Sequence, residues 1–560
     1  MTPRRANKRV RLLVAVFAGV FALALARAGW LQAVRAEPLG ERGASQHRET
    51  VALPGARGTV YDRTGVELAI GERATTVYAN PKQIRDPRAV ASAAARTLGI
   101  EGEPLVAELA DRSRGFVYVK RKADPERAEA LQRLGIRGLG FYPEERRRYP
   151  QQAIAAEVVG FAGVDNRGLA GVELGLDRHL AGAEGEKTVV RDPFGQALQV
   201  VDSKPPREGR DVYLTVDHSL QAHVERVLRD TVAKWEAESA TAVVMDTATG
   251  EILAMGVEPG FDANRFPSVP RERQRNRAVT DTYEPGSTFK VVTITAALET
   301  GLVSPATPFT LRYEIRVADR VIHDAEPRGT ERMTVSEILS RSSNVGIVTL
   351  ALWLGKDRLN GWIDRFGFGR PTGVDYPGET RGIVLPPERW SGSTIGNVPI
   401  GQGIAVTPLQ MAAAYAAIAN DGVAVQPHLV DRIEGVRSPA PRRRRVMSAD
   451  TARQVRAMLE DVVEEGSGVE ARVPGYRIAG KTGTAAKPEP TGGYSKSRYV
   501  ASFVGFAPGE PRLVTLVAVD EPKGAIWGGV VAAPAFAEIA RFALQYFGIG
   551  PDERFEAVSP

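Results

Sequence analysis

An apolar run from Leu12 to Ala26, extended past Arg27 through Trp30 and Leu31, follows the basic residues Arg4, Arg5, Lys8, Arg9 and Arg11. Counted to Leu31, it has about the 20 residues that a bilayer-spanning helix requires. Arg27 is close enough to its end to snorkel, and Trp30 suits the interface. No other feature constrains the architecture as strongly, because so apolar a helix leaves water for lipid and the basic flank keeps the N-terminus in the cytoplasm. The rest of the chain is therefore expected outside. Ala24-Leu25-Ala26 also has the small-x-small form that signal peptidase accepts. Span length favours a retained anchor over a cleaved signal, and both readings export the bulk of the protein.

That bulk is large. With 560 residues, 43% hydrophobic and 25% charged, the chain exceeds one ordinary core and is too apolar for disorder, so about two or three globular units are expected. The net charge of +6 does not point to nucleic acid, because the basic residues are scattered and no aromatic residues alternate with them as a stacking surface needs. The one dense run, Arg442 to Arg445, lies in a Pro-rich stretch and reads as a solvated loop. The sequence has no cysteine, which removes disulfides, thiolate metal sites, a Cys nucleophile and a lipidated Cys. Its six histidines show no metal-binding spacing. Neither a metal nor an organic cofactor is expected.

Gln32 to about Leu53 is polar and Ala/Arg-rich, a linker or juxtamembrane helix. From Arg57 to about Arg210, short β-rich runs (Thr75 to Tyr78, Phe116 to Lys120) alternate with helical segments such as Pro125 to Leu134, an α+β module without visible chemistry. Beyond Gly209, Leu214-Thr215-Val216 reads as a strand leading to an Asp217 cap, and Ser219 to Trp235 as a helix. Thr241 to Met245 and Glu251 to Met255 form a hairpin by their turn residues. Tyr476 to Ala479, Tyr499 to Phe506 and Leu513 to Val519 read as strands, and Ala535 to Tyr546 as a final helix. The expected architecture is α+β, with about five strands, helices from both chain ends and a helical insert. No internal repeat is present, and Asp552 to Pro560 carries no signal.

Three short motifs carry chemistry. Ser287-Thr288-Phe289-Lys290 follows the turn Glu284-Pro285-Gly286 and opens a helix from Val291 to Leu298. A first-turn serine and a lysine three residues later share a helix face, so a neutral amine could take the hydroxyl proton, and the helix N-terminus favours the oxyanion of acylation. Ser-x-x-Lys alone arises about once by chance in a chain this long, with an N-cap serine as its ordinary meaning. Ser342-Ser343-Asn344 follows the helix Val335 to Leu339; Ser342 could relay protons and Asn344 could hold the lysine and a substrate amide, although such a segment is usually a polar turn. Lys481-Thr482-Gly483-Thr484, at the edge of a predicted strand, is expected to place a lysine and two hydroxyls alternating on one strand face to bind a carboxylate, while Gly483 lets a substrate backbone lie close. Each motif is weak alone. Together, in this order and behind an anchor, they are the trio of penicillin-binding proteins and class A β-lactamases.

On these residues the sequence resembles the class B penicillin-binding proteins over nearly its whole length. Arg57-Gly58-Thr59-Val60-Tyr61-Asp62-Arg63-x-Gly65, Arg148-Tyr149-Pro150 and Gly171-Val172-Glu173 are similar to motifs of the family's non-catalytic module. Glu284-Pro285-Gly286-Ser287, Gly401-Gln402-Gly403 and Thr407-Pro408-Leu409-Gln410 match its catalytic domain. The resemblance implies a penicillin-binding/serine β-lactamase-like fold and a serine-type D-Ala-D-Ala transpeptidase that cross-links peptidoglycan stem peptides. In that scheme Ser287 is the nucleophile, Lys290 its general base, and Ser342 and Asn344 complete the proton network. Lys481, Thr482 and Thr484 hold the terminal carboxylate, and the backbone N–H groups of Ser287 and Thr484 form the oxyanion hole. A stem-peptide amine resolves the acyl-enzyme, and β-lactams acylate the same serine.

The implied organisation is a cytoplasmic stub (1–11), an anchor (12–31), a juxtamembrane linker (32–55), a non-catalytic pedestal of dimerisation type (56–210), a transpeptidase domain (211–548) and a tail (549–560). Ala26-Arg27-Ala28-Gly29-Trp30-Leu31-Gln32, Gly528-Gly529 and Ala532-Ala533-Pro534-x-Phe536 look most like the septum-specific division transpeptidase. Its relatives work with a lipid-II polymerase of the shape, elongation, division and sporulation class and with other division proteins. Ile526-Trp527 departs from the tyrosines usual there, although Trp527 keeps an aromatic. A D,D-carboxypeptidase or β-lactamase would use the same trio, but no Glu-x-x-Leu-Asn element lies between the second and third motifs, and the module before the serine lacks the Glu-Asp-x-x-Phe signature of a bifunctional enzyme. An elongation-type transpeptidase, a β-lactam sensor and an idle division scaffold stand as alternatives.

Overall fold

In a computed structural model of the chain, residues 3–33, 48–53, 55–191, 197–437, 440–507 and 512–551 are described. They fall into two compact units, Met1–Ala56 with Gly182–Glu208, and Arg57–Ala181 with Gly209–Pro560. The span expected as one pedestal, 56–210, is thus shared between them.

The first unit contains helix α1 (Pro3–Ala33), in which the 24 residues Lys8–Leu31 are long and apolar enough to cross a bilayer, about 36 Å at the usual helical rise. Arg27 lies over the Trp30 ring, 4.9 Å from its centroid. A three-stranded antiparallel sheet runs in the order Arg48–Leu53, Gly185–Arg191, Ala197–Lys204. This corrects the linker reading for Arg48–Leu53: the strand's partner is far away in sequence, so no local pattern reveals it. Residues 34–47 of the expected linker, and 552–560 of the expected tail, lie outside the described residues.

The second unit begins with β1 (Val60–Tyr61) and β2 (Glu67–Ala79), on which β3 (Val117–Ala123) and β4 (Leu139–Arg148) both pair antiparallel. Helices α2 (Pro87–Leu98), α3 (Gly102–Ala110) and α4 (Pro125–Gln132) bury Ala91, Leu98, Leu109 and Leu131 against Val77 and Val117. Asp86 and Asp124 cap α2 and α4 ahead of N1 prolines, which supply a donor-free first turn. Beneath this layer, buried Arg57 meets Glu173 (2.6 Å) and Asp177 (2.7 Å), and Arg147 bonds the other Glu173 oxygen at 2.6 Å. Residues of two non-catalytic motifs are thereby one ion-pair core.

The same sheet continues into the C-terminal part. β5 (Val212–Leu214) pairs parallel with β1, and Val430–Ile433 pairs with β5 on its far side. Asp217 caps α5 (His218–Trp235) through the Ser219 and Leu220 amides, and Asp62 takes the His218 amide at 3.0 Å. A second sheet holds β6 (Ser239–Asp246), β7 (Ile252–Glu258), β8 (Ala479–Pro488), β9 (Tyr494–Phe506) and β10 (Leu513–Asp520) in the antiparallel order β7-β6-β10-β9-β8. α5 and the last helix cover one face, burying Val224, Leu228, Phe503 and Phe536. The helical insert covers the other with Val291, Ile294, Leu409 and Tyr415. β6 and β10 are nearly continuous apolar runs because both faces are covered.

Two strand expectations change. Tyr476 to Ile478 precede the strand, which starts at Ala479, so Lys481 to Thr484 lie inside β8 and not at its margin. Its small polar residues lack an apolar signal, and pairing along β9 determines their state. Arg443–Arg445 is a short strand paired with Val423–Val425, not a loop, although its side chains stay exposed and donate to the carbonyls of Ala248, Arg365 and Asp421.

Candidate active site

Ser287 sits in the 3₁₀ turn Gly286–Phe289, which runs directly into helix α6 (Lys290–Glu299). Gly286 has φ +56°, and a Cβ there would lie 2.9 Å from the Thr484 carbonyl, so the turn rests against the backbone of β8. From the other side, the Gly286 amide donates to Gly401 O at 3.1 Å. Gly403 N donates to Glu284 Oε1 at 3.0 Å, as does Tyr494 Oη at 3.1 Å. Gly401-Gln402-Gly403 is therefore a prop for the serine turn. Thr407 and Gln410 form a capping box at the start of α9 (Pro408–Ala419), which explains Thr-Pro-Leu-Gln: cap, N1 proline and reciprocal N3 side chain. Intervening helices α7 (Val335–Ser340) and α8 (Asn344–Leu354) carry the second motif between them.

Lys290 is fully buried, and its Nζ donates to Ser342 O (2.7 Å), Ser342 Oγ (3.1 Å) and Asn344 Oδ1 (2.7 Å). Burial, and then the neighbouring charge of Lys481, push this amine well below the ordinary lysine range, while Asp324 acts in the opposite sense. Lys481 is also fully buried, and that burial brings it down to about 7. Two lysines with low proton affinity in one cleft are what an amine base requires, since the charged form has no lone pair. Ser342 has φ +57°, a conformation that turns its carbonyl and its hydroxyl onto the same amine.

On β8 the strand period separates the third motif. Lys481 and Gly483 belong to one face and Thr482 and Thr484 to the other, so the lysine and the hydroxyls do not share a face as expected. Lys481 Nζ nevertheless lies 3.2 Å from both Thr482 Oγ1 and Ser467 Oγ. Thr484 Oγ1 accepts from the Gly528 amide at 3.0 Å. Gly483 is bare for a different reason from the expected one. A Cβ there would press on Ser502 Oγ and come 2.8 Å from Pro285 O, so its hydrogen accommodates the serine turn. The fold thus gathers Ser287, Lys290, Ser342, Asn344, Lys481, Thr482 and Thr484 about one strand edge, with half-exposed Trp527 beside Gly528.

Three contributors escaped sequence reasoning. Ser467, exposed after helix α10 (Ala449–Glu464), has its Oγ 2.9 Å from Thr482 Oγ1, and no local motif marks it. Ser343 and Asp324 support the second motif from behind, the former between two residues that drew attention and the latter in an unremarkable loop. Among the described residues, no three or more His, Asp or Glu side chains gather as metal ligands.

The chain is similar to known proteins over nearly its whole length. The penicillin binding protein transpeptidase domain matches residues 240–541, and the penicillin-binding protein dimerisation domain matches 52–214. Stage V sporulation protein D of Bacillus subtilis is 36% identical over 560 residues, covering 97% of this chain and 86% of its own length. The peptidoglycan D,D-transpeptidase FtsI of Escherichia coli K12 is 34% identical over 567 residues, covering 98% and 95%. The crystal structure of penicillin-binding protein 3 from Mycobacterium tuberculosis with aztreonam is similar at a TM-score of 0.71 and 32% identity, over 90% of this chain and 99% of that one. By sequence, by domain order and by fold, the chain belongs to the class B penicillin-binding proteins.

Proposed function

We propose that this protein is a serine D,D-transpeptidase that cross-links peptidoglycan stem peptides and is a target of β-lactams. The observation that carries the reading is the buried Lys290, held by Ser342 and Asn344 one helical turn after Ser287, where burial lowers its proton affinity. Lys290 takes the Ser287 proton as the hydroxyl attacks the penultimate D-Ala carbonyl; the C–N bond to the terminal D-Ala breaks, and Ser342 relays the proton to the leaving amine. The backbone N–H groups of Ser287 and Thr484 stabilise the oxyanion, and Lys481 with Thr482, Thr484 and Ser467 receives the terminal carboxylate. An acceptor amine then reverses the sequence and forms the cross-link.

The Lys8–Leu31 helix supports a single-pass anchor, with 12–31 in the membrane and the catalytic part outside. The organisation we propose is a pedestal over 56–210 and a transpeptidase domain over 211–548. A septal role with a lipid-II polymerase of the shape, elongation, division and sporulation class and other division proteins is favoured by Ala26–Gln32 and the Gly528-Gly529 segment. The full chain, purified in detergent and incubated with a fluorescent penicillin, should give a stable one-to-one adduct that Ser287→Ala abolishes. Rapid turnover of the label would instead indicate a β-lactamase, and no labelling of folded protein an idle scaffold.

A further inference from the structure

The pedestal segment also meets the catalytic part at the helical turn Ala156–Val159, which packs against β7 within the main apolar core. Glu157 in this turn is 1% exposed, and its Oε1 has no hydrogen-bond partner among the described residues. That oxygen lies against Gly260, where a Cβ would stand 3.3 Å from it. From α5, Glu225 is 5% exposed. Its Oε1 accepts from the Ala155 amide across the joint at 2.8 Å, and from Gln221 Nε2 at 2.8 Å. Gln221 is in turn fixed on the Met255 backbone, donating to its carbonyl at 3.0 Å and accepting from its amide at 2.7 Å. Ala155 has φ +59°, an unfavourable conformation for alanine, and the Glu225 carboxyl holds it there. Neither Glu157 nor Glu225 forms a salt bridge among the described residues. Two such carboxyls enclosed in one apolar joint cannot both ionise, because each charge would lose its water and gain a like neighbour.

We propose that Glu157 and Glu225 share one proton, and that this proton latches the pedestal segment to the catalytic part. The other titratable groups facing the pair are Glu258 at the end of β7, which adds repulsion, and Arg229 of α5, 4.0 Å from Glu258. The Tyr376 hydroxyl completes the set, donating to the Glu157 carbonyl at 2.6 Å. Burial, and then Glu225 and Glu258, push the Glu157 carboxyl well above the ordinary range, although the backbone amides of Glu157 and Phe261 act in the opposite sense. Burial lifts Glu225 to about 7. Both shifts mean that the folded protein keeps a proton that the unfolded chain sheds above 4.5. The latch is therefore at full strength in acid and is lost as pH rises through about 7. Its loss sets two charges side by side and loosens the turn that Glu225 holds.

The latch is independent of the acyl-transfer reading, and hydrogen exchange of the full chain in detergent tests it. Parent and Glu157→Gln are compared at the same pH, so that intrinsic base catalysis cancels. At about pH 5.5, where the shared proton is in place, the amides of residues 155–160 should exchange alike in both proteins. At about pH 8 the parent should exchange them about 10-fold or more faster, since each unit of displaced proton affinity corresponds to a factor of about ten. Glu225→Gln, which keeps an oxygen for the Ala155 amide, should behave as Glu157→Gln does. A parent-to-variant ratio that does not change with pH, or faster exchange in both variants at either pH, would overturn the shared proton. So would the absence, from the infrared spectrum of the parent near neutrality, of a protonated-carboxyl band that Glu157→Gln removes.

Discussion

At the scale of single residues, the site is expensive to fold. Lys481 is fully buried, its Nζ donates to hydroxyl and carbonyl oxygens, and its affinity for protons falls from 10.5 to about 7. Between those two values the unfolded chain binds a proton that the folded protein does not, so this lysine makes stability rise with pH across that window. Below about 7 the penalty is in full force, on the order of a few kcal/mol for a group so enclosed. Lys481→Met should therefore raise the melting temperature relative to the parent, most below about pH 7, with the gain fading towards about pH 10. Thermal melts at stepped pH check this, and a gain independent of pH would reject it. Stability is sacrificed here to chemistry, the usual pattern for a prepared active site.

At the scale of elements, the decisive contact is between the Ser287 turn and strand β8. Gly286, Gly401 and Gly483 allow three backbones to approach where side chains would collide. Gly483→Ala should push the turn off the strand and slow β-lactam acylation by about 100-fold. Its effect on the melting temperature should be that of an overpacked site, about 1–3 kcal/mol. A comparison of acylation rates with thermal melts tests whether catalysis suffers out of proportion to stability. Most of these elements were legible in advance. The helix from Ser219 had its Asp217 cap, the helix from Val291 had the turn Glu284-Pro285-Gly286 before it, and the hairpin Thr241 to Met255 had its turn residues. β8 was misplaced because Lys-Thr-Gly-Thr-Ala-Ala has no hydrophobic alternation to read.

At the scale of the whole molecule, the pedestal segment Arg57–Ala181 and the catalytic part share one sheet through β1 and β5, and Asp62 reaches the first turn of α5. Removing Arg57 leaves buried Glu173 with Arg147 alone and takes the guanidinium from partly buried Asp177, at a cost of about 3 kcal/mol. Because the two parts are joined, Arg57→Ala should lower the melting temperature of the catalytic part as well as the pedestal. Hydrogen exchange on α5 and β6 reports that coupling, and loosening confined to residues 57–181 would refute it. What the sequence by itself determined is what local chemistry encodes: a span long enough for a bilayer, caps and turns that delimit helices, and three ordered motifs whose side chains suit acyl transfer. Only the tertiary structure decided the rest. Strand Arg48–Leu53, the joint between β1 and β5, Ser467 beside Thr482 and the contact of Ser343 with Asp324 all depend on partners distant in the chain, whose meeting is set by packing and long-range pairing that no local pattern records.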